Sequence, residues 1–157
     1  MKILYICTHN RCRSILSEAI SNLMSDGRII AKSAGSQPAG LIHPLTVHYL
    51  QEAGVPTEGL YSKSWDELES FAPDIVITVC DSAAQESCPV WFGKAVKVHW
   101  GLADPSKVNG SEAEQALAYE ACITKIKQRI HAFLALQFEL MDSSALQQAL
   151  QELGTNH

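Results

Sequence analysis

The chain is short of the features that would assign it to several large protein classes. Lys and Arg total 12 against 17 Asp and Glu, for a net charge of −5. No basic excess is available for a nucleic acid or an anionic membrane surface. No apolar run approaches the ~20 residues that cross a bilayer, and the few apolar residues after Lys2 are too few for a secretory signal. The reading is therefore a cytoplasmic chain. Five cysteines, an odd number, argue against a structural disulfide framework in such a compartment. His43, His48, His99 and His131 share no metal-binding spacing with them, so no metal or cofactor is expected. There is no internal repeat.

What is present fits one domain. A length of 157 residues, 46% hydrophobic and 18% charged, lies in the globular range. Lys2 to Ile6 reads as a buried strand, Ser14 to Met24 as a helix, and Arg28 to Ser33 as a second strand ending at Ala34-Gly35. Pro44 opens a helix that stops at Gly54. Ser64 with Glu67 three residues later caps a short helix from Trp65 to Phe71. Ile75 to Val79 is the clearest strand, and Ala95 to Trp100 the fourth. Between them, Asp81 to Phe92 is polar and then bulky, a loop or a short helix. A long helical pattern runs from Ser111 to about Phe138, with Leu117 among its apolar positions. This alternation predicts a three-layer α/β fold with a four-stranded parallel sheet. Residues 1–138 form the expected catalytic domain, and 139–157 a C-terminal helical extension.

The chemistry concentrates in Cys7-Thr8-His9-Asn10-Arg11-Cys12-Arg13-Ser14, between the first strand and the first helix. A loop feeding a helix N-terminus offers free N–H groups and the positive end of the helix dipole, and Arg13 adds a guanidinium. Such a loop can wrap a tetrahedral oxyanion with the Cys7 sulfur beneath its central atom. A positive setting of this kind is expected to make Cys7 acidic. In a parallel sheet, ligands bind beyond the carboxyl ends of the strands. Cys7 ends the first strand, Cys80 ends the third and Asp104 follows the fourth, so three segments converge there.

The sequence resembles the low-molecular-weight protein tyrosine phosphatase family and, within it, the arsenate reductases. The resemblance rests on Cys7-Thr8-x-Asn10-x-Cys12-Arg13-Ser14, Ser33-Ala34-Gly35, Cys80 with Cys88, and Asp104-Pro105. It implies that Cys7 attacks the oxyanion, Arg13 binds it, Ser14 stabilises the thiolate, Asn10 shapes the loop and Asp104 protonates the leaving oxygen. It further implies that Cys80 resolves the arsenic adduct and that Cys88 carries the disulfide outward to thioredoxin or to glutathione with glutaredoxin. Arsenate would be the substrate, with phosphate or sulfate as analogues.

Two other readings stand beside it: a phosphatase using Cys7, Arg13 and Asp104, and a non-enzymatic oxyanion-binding redox sensor. His9 stands where many members have Gly, and Arg11 where the residue is usually small. Lys63 falls near a cation position of some relatives that uses Asn10, Glu18 and Ser33, so an ammonium would replace potassium there. Glu18 is otherwise a solvated helix residue. Cys12 is either a packed thiol or a protective disulfide partner of Cys7, and Cys122 reads as core. Trp65, Trp91 and Trp100 read as packing or pocket walls.

Overall fold

The computed structural model describes residues 1–86, 89 and 92–155. Four strands form one parallel sheet: β1 (Lys2–Ile6), β2 (Ile30–Ala34), β3 (Ile75–Thr78) and β4 (Val96–His99), in the order β2-β1-β3-β4. The burial pattern follows from that order. Ile3 to Ile6 on β1 and Ile75 to Ile77 on β3 are buried at every position, as continuous apolar strands covered on both faces must be. The edge strands β2 and β4 instead alternate between exposed and buried residues.

The helices are α1 (Arg13–Met24), α2 (Pro44–Glu52), the single turn α3 (Asp81–Ala84), α4 (Glu112–Leu134) and α5 (Ser143–Thr155). Ile15, Leu16 and Ile20 on α1 are fully buried, as are Ile130 and Phe133 on α4 or nearly so. Truncating any of these to Ala would cost about 2–5 kcal/mol. The capping box read at Ser64 and Glu67 is formed, although Trp65–Phe71 is a 3₁₀ helix with a kink at Leu68.

Three sequence expectations are corrected by packing. The long helix stops at Leu134 rather than near Phe138, because the chain folds back and stacks Phe138 on Phe133 with ring centres 4.4 Å apart. Arg28 leaves the second strand and donates to the Leu134 carbonyl at 2.9 Å, capping that helix end. On α4 Leu117 faces solvent at 65% exposure, whereas Tyr119 and Arg129 are buried.

The tail after residue 138 is well packed. Leu146 and Leu150 of α5 are buried, and the Leu150 carbonyl accepts from Trp100 Nε1 at 2.8 Å. Gly154 does not end α5 but lies inside it, where a Cβ would come within 2.8 Å of the His99 carbonyl oxygen.

Sheet order also places the site. Proceeding from β1, the chain goes to one side to reach β2 and to the other to reach β3, so the crevice opens at the carboxyl ends of β1 and β3. The ladder continues past both strands. Cys7 N–H donates to Ala34 O at 3.2 Å, Val79 N–H to Ile6 O at 3.0 Å, and Leu102 N–H to Val79 O at 3.0 Å. These bonds draw Cys7, Cys80 and the Leu102–Asp104 loop to one edge.

Candidate active site

The loop from Cys7 to Ser14 is held from both sides. Its carbonyls are taken up by the following segment: Gln37 N–H donates to Thr8 O, Ala39 N–H to His9 O and His43 N–H to Arg11 O, all at 2.9 to 3.0 Å. Among the described residues the N–H groups of Asn10 to Arg13 have no acceptor, so the donors remain free at the start of α1. Asn10 adopts φ +47° and is fully buried. Its side-chain N–H₂ donates to Ser14 Oγ at 2.8 Å and Ser33 Oγ at 3.0 Å, while its Oδ1 accepts from Lys63 N–H at 2.9 Å. One side chain therefore joins the loop, β2 and the 61–64 segment.

Gly35 explains the Ser33-Ala34-Gly35 motif sterically. A Cβ there would strike the Thr8 carbonyl oxygen and lie 2.6 Å from that of Cys7. Only glycine lets the end of β2 lie this close beneath the loop.

Above the loop is a cavity of about 90 Å³, lined among others by Cys7, His9, Arg11, Arg13 and Asp104. Arg13 reaches it from the first turn of α1 and is fixed by Leu102 O at 3.1 Å and Asp104 Oδ2 at 3.5 Å. Its Nε is buried and, among the described residues, has no acceptor, so an anion in the cavity would complete its bonding. Asp104 is oriented in turn by Ser106, whose N–H and Oγ donate to Oδ1 at 2.9 and 2.6 Å.

Cys80 lies beside Cys7. Both are buried, close enough for each sulfur to perturb the ionisation of the other. Thr8 N–H approaches Cys80 Sγ at 3.4 Å. The hydrogen bond from Cys7, with further bonds from the N–H groups of Thr8 and Ala83, holds Cys80 down to about 5. Cys7 is pushed far above the thiol range, first by donating to Cys80 and then by burial, with Arg13 and His9 N–H pulling the other way. Arg13 and the His9 N–H are the groups that favour the Cys7 thiolate, as a positive loop should, and burial beside Cys80 opposes them.

The remaining residues separate into those the site uses and those it does not. Ser14 is buried and bonded to Asn10. His9 and Arg11 are exposed on the rim, His9 pairing with Gln37 O through Nδ1 at 3.0 Å. Cys12 is a packed free thiol that bonds Tyr119 OH at 3.6 Å, and Cys122 is another buried free thiol, pushed up to about 12 by burial. Cys88 and Trp91 lie outside the described residues.

Glu18 is not solvated: it is buried, accepts from Ser33 Oγ at 2.6 Å and pairs with Lys63 Nζ at 3.6 Å. Lys63 is itself 4% exposed and also donates to Tyr61 O, so its ammonium lies within the frame that supports Asn10. Among the described residues no cluster of His, Cys, Asp or Glu is arranged to hold a metal ion.

Sequence reasoning missed Ser106 and Glu86. Ser106 is a small residue that matters only through the turn after Pro105. Glu86 accepts from Thr8 Oγ1 at 2.8 Å across 78 positions of sequence, and no periodicity announces such a contact.

This arrangement matches a known family. The model for low molecular weight phosphotyrosine protein phosphatase covers residues 2–151. The chain belongs to that family. Among curated proteins, the arsenate reductase of Bacillus licheniformis is 32% identical over 131 residues, covering 83% of this chain and 93% of its own. A glutaredoxin arsenate reductase of Synechocystis is 24% identical over 134 residues, covering 85% and 96%. Among solved structures, a thioredoxin-dependent arsenate reductase of Corynebacterium glutamicum aligns with TM-score 0.64 and 27% identity over 84% of this chain and 59% of that one. In this chain a thiol, an arginine and a carboxylate meet at one edge of the sheet. No helix among the described residues is long and apolar enough to cross a membrane.

Proposed function

We propose that this family member reduces arsenate to arsenite, with Cys7 as nucleophile and Cys80 as resolving thiol. The single observation that carries this reading is the second buried thiol, Cys80, beside Cys7 at the anion loop. Hydrolysis of a phosphate ester needs one thiolate, an arginine and an acid, whereas reduction needs two electrons and hence a second thiol within reach.

The steps follow from the geometry. Arsenate enters the 90 Å³ cavity and is held by Arg13 and the N–H groups of residues 10–13. Proton transfer from Cys7 to Cys80 gives the Cys7 thiolate, which attacks arsenic(V). Asp104 protonates the departing oxygen, and water leaves. The Cys80 sulfur, once ionised, attacks Cys7. A sulfur–sulfur bond forms, the sulfur–arsenic bond breaks, and its electron pair stays on arsenic as arsenite. Two thiols are oxidised and one arsenic is reduced by two electrons.

Cys88 is assigned the next step, attack on Cys80 and transfer of the disulfide outward. The electrons come from an external thiol donor, thioredoxin or glutathione with glutaredoxin. The setting is a reducing cytoplasm and the role arsenical resistance. Support for the reductase reading comes from relatives named arsenate reductase and from the thiol pair itself.

The test is arsenate reduction with each donor in turn on the wild type, Cys80→Ser and Cys88→Ser. Loss of arsenite formation in both variants, with anion binding kept, is the expected result. Rapid aryl phosphate turnover unaffected by Cys80→Ser would favour the phosphatase. A disulfide that forms without any turnover of either anion would favour the sensor.

A further inference from the structure

Cys7 and Cys80 are buried at 5% and 3% exposure, Cys7 lining the anion cavity. Each sulfur must act as a thiolate in turn, so Cys80 must give up a proton from a largely buried position. Among the described residues a hydrogen-bonded route leads out from it. Thr8 Oγ1 lies 3.8 Å from Cys80 Sγ and 2.8 Å from Glu86 Oε1. A threonine hydroxyl has a single hydrogen. The shorter contact, to a carboxylate that can only accept, claims it, so the Thr8 oxygen presents its lone pairs to Cys80. Glu86 is only partly buried and reaches solvent.

We propose that Glu86 is a positioning residue that, through the Thr8 hydroxyl, removes the proton of the Cys80 thiol and so readies Cys80 to close the disulfide. When the proton passes to the Cys80 sulfur, Cys80 gives it to Thr8 Oγ1 as Thr8 gives its own to Glu86 Oε1. Cys80 is left as a thiolate, Thr8 is unchanged, and Glu86 is a neutral acid that releases its proton to water. No electrons move in this step. Arg13 and Asp104 pair in the anion cavity, where a proton is given to the leaving oxygen, whereas Glu86 is bonded to Thr8 and takes one away.

The inference rests on the reductase reading for its biological use, but its test is independent of arsenate. Closure of the Cys7–Cys80 disulfide is followed in a single turnover with no donor, once with arsenate and once with 2-hydroxyethyl disulfide, a small oxidant that engages the same two thiols. Glu86→Gln keeps an acceptor for Thr8 but takes up no proton. It is expected to slow closure with both oxidants by roughly a hundredfold, the low end of what a positioned proton acceptor contributes. Arsenate affinity should be unchanged.

Thr8→Val should be slowed similarly, Thr8→Ser should restore the rate, and Glu86→Gln should add nothing in the Thr8→Val background. Formate should accelerate Glu86→Ala but not Thr8→Val. A merely structural tie would leave Glu86→Gln at the wild-type rate, and that result, multiplying losses, or no formate rescue would overturn the relay. A wild type that closes with the small disulfide but yields no arsenite from arsenate would instead count against the reductase reading.

Discussion

The two sulfurs of the site belong to segments built in opposite ways. Cys7 opens a loop whose frame is held on several sides while its N–H groups stay free for an anion: Asn10 bridges three segments, the 37–43 stretch takes the outward carbonyls, and Gly35 presses from below. Cys80 precedes a single helical turn in which Asp81, Ser82 and Ala84 are exposed and only Ala83 is buried. Apart from its own turn, and among the described residues, that stretch is tied down by Thr8 to Cys80 and Glu86 and by His99 to Asp81 at 3.1 Å. Low burial and few long-range bonds put such a segment at the low end of local stability. The difference suits the chemistry: a nucleophile must be held still under its anion, whereas a resolving thiol must approach its partner and then pass the disulfide on.

The comparison can be broken first at the anion side. Arg13→Lys replaces a planar fork with a point charge and should lower kcat/KM for arsenate by about 10²–10³, as losing a preorganised transition-state donor does. Steady-state kinetics would read this, and near-wild-type values would mean that Arg13 does not clasp the anion.

The supporting frame comes next. Lys63→Met leaves Glu18 buried without its cation, and chemical denaturation should register a loss of about 3–5 kcal/mol. Burial already raises Glu18 above the ordinary carboxylate range, against the pull of Lys63. A raised acid stabilises the fold below its unfolded pKa and ceases to do so as pH rises through the folded value. The deficit of Lys63→Met should therefore grow from mildly acidic toward neutral pH. Potassium should leave wild-type activity nearly unchanged, and a large activation would show that the Lys63 ammonium does not replace a bound cation.

A matched pair of small changes sharpens the contrast. Gly35→Ala pushes into the Thr8 and Cys7 carbonyls and should cost about 1–3 kcal/mol while slowing the first chemical step. Ala84→Gly, on the exposed turn after Cys80, should cost about 1 kcal/mol or less. Equal losses at the two positions would erase the distinction between a fixed loop and a loosely held one.

The same contrast governs what could be read before the structure was seen. The buried strands and the loop were legible because they obey local rules: β-branched runs, a strand-loop-helix junction, and polar residue types at fixed spacing. Convergence of Cys7, Cys80 and Asp104 followed from parallel topology alone. Features that depend on packing were not legible. The ionisation of the thiol pair depends on Cys80 lying buried beside Cys7, which a positive loop by itself does not reveal. Glu18 looked like a solvated charge until β2 and the 61–64 segment closed over it. Phe138 ended a helix by stacking on a ring five residues earlier, which no helical period encodes.

The central claim is that Cys7 and Cys80 act as one redox pair on an oxyanion. It is tested most directly by giving the reduced protein one equivalent of arsenate with no thiol donor, then trapping free thiols and mapping disulfides by peptide mass in the wild type and in Cys88→Ser. One arsenite per chain with a Cys7–Cys80 disulfide in Cys88→Ser is the predicted outcome. Arsenite formed with Cys80 still a free thiol in that variant would contradict it.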